Sequence, residues 1–243
     1  MSLKTQLARS STRGANDKVQ PKELRMRKFA LLLLLLALPI AACKHAGVKG
    51  SGKREVLKRQ IEPFTSISTE GAFNVEVVCQ KDLSLEIEAD DNILPLITVE
   101  VSHGVLKLKN TTSYSTKEPV VIRLTVPNLE GLSASGAGKF DVSKVKSEKF
   151  VIEANGAAQI KVSGSTVSLN ISANGAGSID AHSLQASKAV VESNGVAKVD
   201  IDVSDQLDVT VSGPSTVTYQ GDPKINKSIH GPGKVEKRGG EGA

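Results

Sequence analysis

The chain has no tryptophan, two tyrosines, five phenylalanines and two cysteines in 243 residues. So few aromatics leave little to stack on bases or sugar rings, which argues against nucleic-acid binding and against a tight glycan groove. Two cysteines cannot build a disulfide framework. Cys79 is in phase with Phe73, Val75 and Val77, so it reads as a small buried apolar residue rather than a disulfide partner. Arginine is missing altogether between Gly131 and Val235, which removes a cationic group that lyase-type proton abstraction would want. The apolar run Phe29–Ala42 is 14 residues long, short of the roughly 20 that a spanning helix needs. A nucleophile elbow, a Walker loop and a dinucleotide fingerprint are all lacking.

What the sequence has is a period. Gly71, Gly136, Gly156, Gly175, Gly195, Gly213 and Gly231 share one local setting, and the last six are separated by 20, 19, 20, 18 and 18 residues. Four positions after each glycine stands an apolar residue: Val75, Phe140, Ile160, Ile179, Val199, Val217 or Val235. Four positions before stand Ile67, Leu132, Ile152, Ile171, Val191 and Val209, and the last repeat breaks the column with Lys227. A fixed period near 20 residues marks stacked structural units.

Within a repeat, apolar and polar residues alternate at period two, as in Gln159-Ile160-Lys161-Val162. That is the pattern of a half-buried strand. The glycine marks a corner that needs a positive φ, and Asn155, Asn174 and Asn194 precede three of them as turn-forming Asn-Gly pairs. A second, more polar corner is expected at Ser143–Lys149, Ser163–Thr166, His182–Lys188, Ser204–Gln206 and Gly221–Lys227. Two strands and two corners per coil of about 19 residues predict a parallel β-solenoid with two main sheets, coils stacking about 4.8 Å apart.

Residues 61–128 read as the less regular first half of the same domain. Ile97, Val99 and Val101 lead through Ser102-His103-Gly104 into Leu106 and Leu108, a hairpin pattern. Pro127 ends a strand over Val120–Val126. Asp90-Asp91-Asn92, ahead of Leu94-Pro95, is the candidate for a short helical turn.

The formal charge of +5 is concentrated at the start: residues 1–42 hold eight of the 31 basic and two of the 26 acidic residues. The remainder is close to neutral, so charge gives no argument for nucleic acid. Arg25, Arg27 and Lys28 precede the apolar run, and Ile40-Ala41-Ala42-Cys43 closes it. This is the build of a secretory signal. The last four residues resemble a bacterial lipobox, which implies cleavage before Cys43, a lipid on that cysteine and anchoring in a membrane. By the same resemblance, Lys44 rather than Asp beside the cysteine implies sorting to the outer membrane.

The expected organisation is therefore residues 1–25 as a disordered or spurious extension ahead of a start at Met26, 26–42 as signal peptide, and 43–60 as lipidated tether. Residues 61–235 form the solenoid head, and 236–243 a disordered tail.

Candidates for chemistry are few. The histidines at 45, 103, 182 and 230 show no metal-ligand spacing with one another or with cysteine. The register puts Asp141, Lys161, Asp180, Asp200, Thr218 and Glu236 in one outward column, with Asp180 and Asp200 on adjacent coils about 5 Å apart. Such a pair can share a cation or a proton, but Lys139, Lys161 and Lys198 nearby favour a solvated face. Asp200, Asp202, Asp205 and Asp208 cluster in sequence but lack the glycine-containing loop of a calcium site. A second outward column reads Ser133, Glu153, Ser172, Glu192, Thr210 and Ser228. Neither a metal site, a cofactor nor a catalytic residue is assigned.

Together, Phe64-Thr65-Ser66-Ile67, Gly71-Ala72-Phe73-Asn74-Val75, Val126-Pro127-Asn128-Leu129 and the repeated glycine corners resemble the bacterial auto-transporter adhesin "head GIN" domain family over about residues 60–235. The resemblance implies a right-handed parallel β-helix similar to pectin-lyase-like folds, with no catalysis and a role in adhesion. It supplies no catalytic residues to carry over. Lacking β-barrel strands and a coiled-coil stalk pattern, the chain would reach a surface as a lipoprotein.

The expected function is a non-enzymatic binding or adhesion module of the cell envelope, with a glycan or protein ligand and possible self-association through the solenoid ends. The alternatives are a carbohydrate-active β-helix using Asp180 and Asp200, and a periplasmic envelope-maintenance lipoprotein with a protein partner.

Overall fold

The computed structural model describes residues 47–239; the signal segment, Cys43, His45 and the start at Met26 lie outside the described residues. The first half contains β1 (Val48–Lys49), β2 (Arg54–Arg59), β3 (Ser66–Glu70), β4 (Phe73–Cys79) and β5 (Ser84–Asp90). A 3-10 turn at Leu94–Leu96 leads to β6 (Ile97–Ser102), β7 (Val105–Asn110), β8 (Tyr114–Ser115) and β9 (Val120–Val126). The repeats give β10 (Gly131–Gly136) and the long strands β11 (Lys139–Gly156), β12 (Gln159–Gly175), β13 (Ser178–Gly195) and β14 (Lys198–Ser212). β15 (Thr216–Gln220), β16 (Lys224–His230) and β17 (Lys234–Lys237) end it.

The architecture is an all-β solenoid of about five turns. Successive coils pair in parallel, and the glycine corners fall in register: Gly136 with Gly156, Gly156 with Gly175, Gly175 with Gly195. The apolar columns on either side of those corners fill the interior. Ile67, Leu132, Ile152, Ile171, Val191 and Val209 are buried in one, and Val75, Phe140, Ile160, Ile179, Val199 and Val217 in the other. Each such side chain contributes about 1.5–3 kcal/mol by leaving water, which is how a chain almost without helix and with short-range alternation holds together.

The two expected sheets are joined at the polar corner. Hydrogen-bonded pairing continues through it, so the two faces are strips of a single 15-stranded sheet. The corner is a bulged bend inside each long strand. Between β11 and β12 the offset changes from 20 residues (Val142 to Val162) to 19 (Val145 to Gly164). Further shifts lie between Lys161 and Ser163 and between Ala181 and Gln185. A bulge adds or removes a residue while keeping the strand paired. The unequal repeat lengths are absorbed here, and the glycine corners stay in phase.

Two boundary expectations are corrected. Residues 47–60 are not a tether: β1 pairs with β8, and β2 lies antiparallel on β5. Residues 236–238 are not part of a loose tail: β17 runs parallel to β15, and the Arg238 amide donates to the Tyr219 carbonyl at 2.8 Å. The first half otherwise follows its pattern. β6 and β7 form an antiparallel hairpin through His103 and Gly104, both at positive φ, and Cys79 is buried with Phe73, Val75 and Val77.

A charged ladder and a carboxylate–histidine cluster as the candidate functional site

Stacking in register turns single outward residues into columns. The column five residues beyond the glycine corners is longer than the repeat sequence alone indicates. It runs Lys58, Glu86, Arg123, Glu76, Asp141, Lys161, Asp180, Asp200, Thr218 and Glu236, each in register with the next. Its first members alternate in sign, and Lys58 lies 2.8 Å from Glu86. Arg123 reaches Glu76 at 3.5 Å and donates to Glu88, on the neighbouring column, at 2.9 Å. These exposed pairs align the strands more than they stabilise them.

The alternation fails first at Glu76 and Asp141 and again at Asp180 and Asp200, the second pair facing one another on adjacent coils. Like charges at that spacing repel, and the structure places a partner on each member of the second pair. His182 lies two residues along β13 from Asp180, hence on the same face, and its Nδ1 contacts the Asp180 carboxylate. Ser183 Oγ lies 3.1 Å from His182 Nε2. With Asp180 ionised, Nδ1 donates, and in the neutral ring Nε2 accepts from Ser183. Partial burial works to raise the Asp180 carboxyl, but the hydrogen bond and charge of His182, with Lys161 on the next rung, hold it below the ordinary range. Asp200 Oδ2 accepts from the Arg238 guanidinium, which the last strand carries back to it, while Asp200 Oδ1 is buried with no protein partner among the described residues.

Asp180, His182 and Asp200 can bring one ligand atom each within 4.8 Å of one another, a nitrogen and two oxygens of the kind that divalent ions accept. Each aspartate already holds one partner, His182 or Arg238, so the repulsion within the pair is offset.

His182 and Arg238 are the residues that sequence reasoning missed. An Asp-x-His pair on a strand shares a face by the period of two, and that signal was available. Arg238 carried none, because it lies beyond the last recognisable repeat. Asp202, Asp205 and Asp208 do not join the cluster; Asp208 instead accepts from Gln206 at 2.7 Å. His103 sits at the β6–β7 turn, and His230 ends β16 beside Ser228.

The other outward column is also continuous. Ser133, Glu153, Ser172, Glu192, Thr210 and Ser228 stand in register, extended by Ser68 and Lys107 at the front. Next to the glycines the asparagines form a ladder: Asn174 donates to Asn155 at 3.2 Å and Asn194 to Asn174 at 3.0 Å. All seven corner glycines have positive φ. Away from the aspartates, an open groove of about 830 Å³ runs along the polar corner, lined by residues that include Gln80, Asn128, Glu130, Lys146 and Thr166.

The fold recurs in solved structures named as adhesins. A putative adhesin from Bacteroides fragilis is similar at 22% identity and a TM-score of 0.60, over 79% of this chain and 100% of that one. A putative adhesin from Parabacteroides merdae is similar at 20% identity and a TM-score of 0.50, over 78% of this chain and 98% of that one. No curated protein matches the chain. The family model described as "putative auto-transporter adhesin, head GIN domain" matches residues 63–223, and the chain belongs to that family.

Proposed function

We propose that the protein is a non-enzymatic lipoprotein of the cell envelope whose solenoid presents flat side-chain columns to a glycan or protein ligand. The observation that carries this reading is the continuity of the two outward columns, from Lys58 to Glu236 and from Lys107 to Ser228. A face ruled with hydroxyls and charges of both signs suits recognition of an extended surface. Asp180 and Asp200 each hold a partner on one carboxylate oxygen, His182 and Arg238, which offsets their mutual repulsion without a substrate or ion. Membership of a family described as adhesins supports the same reading. The lipid on Cys43 and the outer-membrane destination rest on Ile40-Ala41-Ala42-Cys43 and Lys44.

The test is protease accessibility of the solenoid on intact cells, against a permeabilised control and a periplasmic marker. Digestion on intact cells is expected for an adhesion module. Protection until permeabilisation would exclude direct adhesion and favour an envelope-maintenance role with a periplasmic protein partner. Radiolabelled palmitate is expected on wild-type protein and absent from Cys43→Ser.

The carbohydrate-active reading is favoured by one observation, the adjacency of Asp180, His182 and Asp200. Under the non-enzymatic reading, Asp180→Asn/Asp200→Asn leaves any polysaccharide-cleaving activity of the preparation unchanged. A loss of activity with the fold retained would reverse the assignment.

A further inference from the structure

The sheet strip leading into the glycine corners starts at β6, continues through β7, β3 and β10 and the second halves of the long strands, and ends at β16. At its first end the inward residues are enclosed: Ile93 and Ile97 are buried, and Val99 and Val101 pack against the core. At its last end they are open. All seven residues of β16 are exposed. Ile225 and Ile229 stand in register with the fully buried Leu207 and Val211, yet each is 39% exposed. Between them, in register with the buried Val209, the inward position is held by Lys227.

Among the described strands β16 pairs only with β14, so one edge offers free N–H and C=O groups to another chain. Lys227 narrows what that chain can be. A second copy stacked head to tail would bring β6 onto β16 and set its apolar inward residues over the lysine, burying an ammonium without a partner. A second copy inverted about Lys227 would match Ile225 with Ile229 but oppose lysine to lysine. Lys224 and Lys234 add positive charge to the same end, where the ion pairs formed are Lys237 with Asp222 and Arg238 with Asp200. Both self-pairings fail on charge, and a strand carrying the opposite charge does not.

We propose that the free edge of β16 accepts an extended segment of a partner protein in which an acidic residue lies between two apolar ones at alternate positions. The apolar side chains cover Ile225 and Ile229, and the carboxylate meets Lys227. Main-chain hydrogen bonds to the edge hold the segment, and the alternate side chains select it. This deepens the binding-module reading and rests on it, since it assigns that module a class of partner and the end of the solenoid that receives it.

Purified full-length protein is titrated with a fluorescein-labelled, end-blocked peptide Thr-Val-Thr-Glu-Thr-Val-Thr, and with the same peptide carrying Lys in place of Glu. Saturable binding of the Glu peptide is expected, at least tenfold tighter than the Lys peptide, and Lys227→Glu reverses the preference. Lys227 is exposed on an edge strand, so the variant is expected to keep the wild-type melting temperature, which is checked first. Absence of saturable binding, equal binding of the two peptides, or an unchanged preference in Lys227→Glu overturns the proposal. Concentration-dependent self-association of the peptide-free protein, abolished by Ile229→Lys, would instead make a second copy the occupant and also overturns it. These outcomes are independent of the protease experiment, so failure of the strand-acceptor edge is distinguishable from failure of the binding-module reading.

Discussion

Asn174 stands one coil on from Asn155, and its Nδ2 donates to Asn155 Oδ1 at 3.2 Å. Asn194 repeats the contact onto Asn174 at 3.0 Å, so the middle asparagine is both donor and acceptor. Asn174→Ala removes both bonds. The expected cost is about 1–2 kcal/mol, read as a lower urea midpoint with an unchanged slope.

Gly175 has φ +148°, and a Cβ added there would lie 2.3 Å from the Gly156 carbonyl oxygen, a contact that only backbone movement relieves. Gly231, in the last coil, has positive φ too, but an added Cβ would lie 3.6 Å from its nearest neighbour. Gly175→Val is therefore expected to destabilise by more than the roughly 1–3 kcal/mol of backbone strain alone. Gly231→Ala costs the strain only. Thermal melting of the two variants checks the order, and equal losses would contradict the stacking.

The hydrogen bond from Arg123 is the main reason the Glu88 carboxyl titrates below its ordinary range; partial burial opposes it and Arg54 assists. The folded state lowers the value, so the pairing contributes stability above about pH 4.3, the ordinary glutamate value. That contribution is lost as pH falls through the lowered one. Arg123→Gln is expected to be less stable than wild type at pH 7. The gap should close on acidification below about pH 4, as followed by denaturation at a series of pH values.

Cys79 is fully buried among Phe73, Val75 and Val77, and burial pushes its thiol up to about 11. The thiolate is the reactive form, so the native protein is expected to leave Cys79 unalkylated by iodoacetamide at pH 8. Labelling should appear only in denaturant, read by mass spectrometry of the peptide that carries it.

The edges of the domain were harder to read than its middle. In β2, only Leu57 among Arg54–Arg59 packs against the core. The strand's alignment on β5 is marked instead by charge pairs, Lys58 with Glu86 and Arg54 with Glu88. A sequence so polar looks like a tether, because an edge strand exposed on one side shows weak alternation. Arg238 was hidden for a similar reason: its role depends on Asp200, 38 residues earlier, and no local pattern reports a contact of that range.

The sequence by itself determined the solenoid, its coil length, the stacking of the corner glycines and the two inward columns. All of these follow from local alternation repeated at a fixed period, and a one-residue slip would turn every apolar side chain outward. The adjacency of Asp180 and Asp200 followed from the same arithmetic. Tertiary structure alone decided how the unequal coils are reconciled, since bulges at the polar corner depend on the neighbouring strand. It also decided which charges compensate the aspartates and where the core ends. Lys227 breaks a column in the sequence, but only the pairing of β16 with β14 alone, among the described strands, leaves Ile225 and Ile229 exposed beside it.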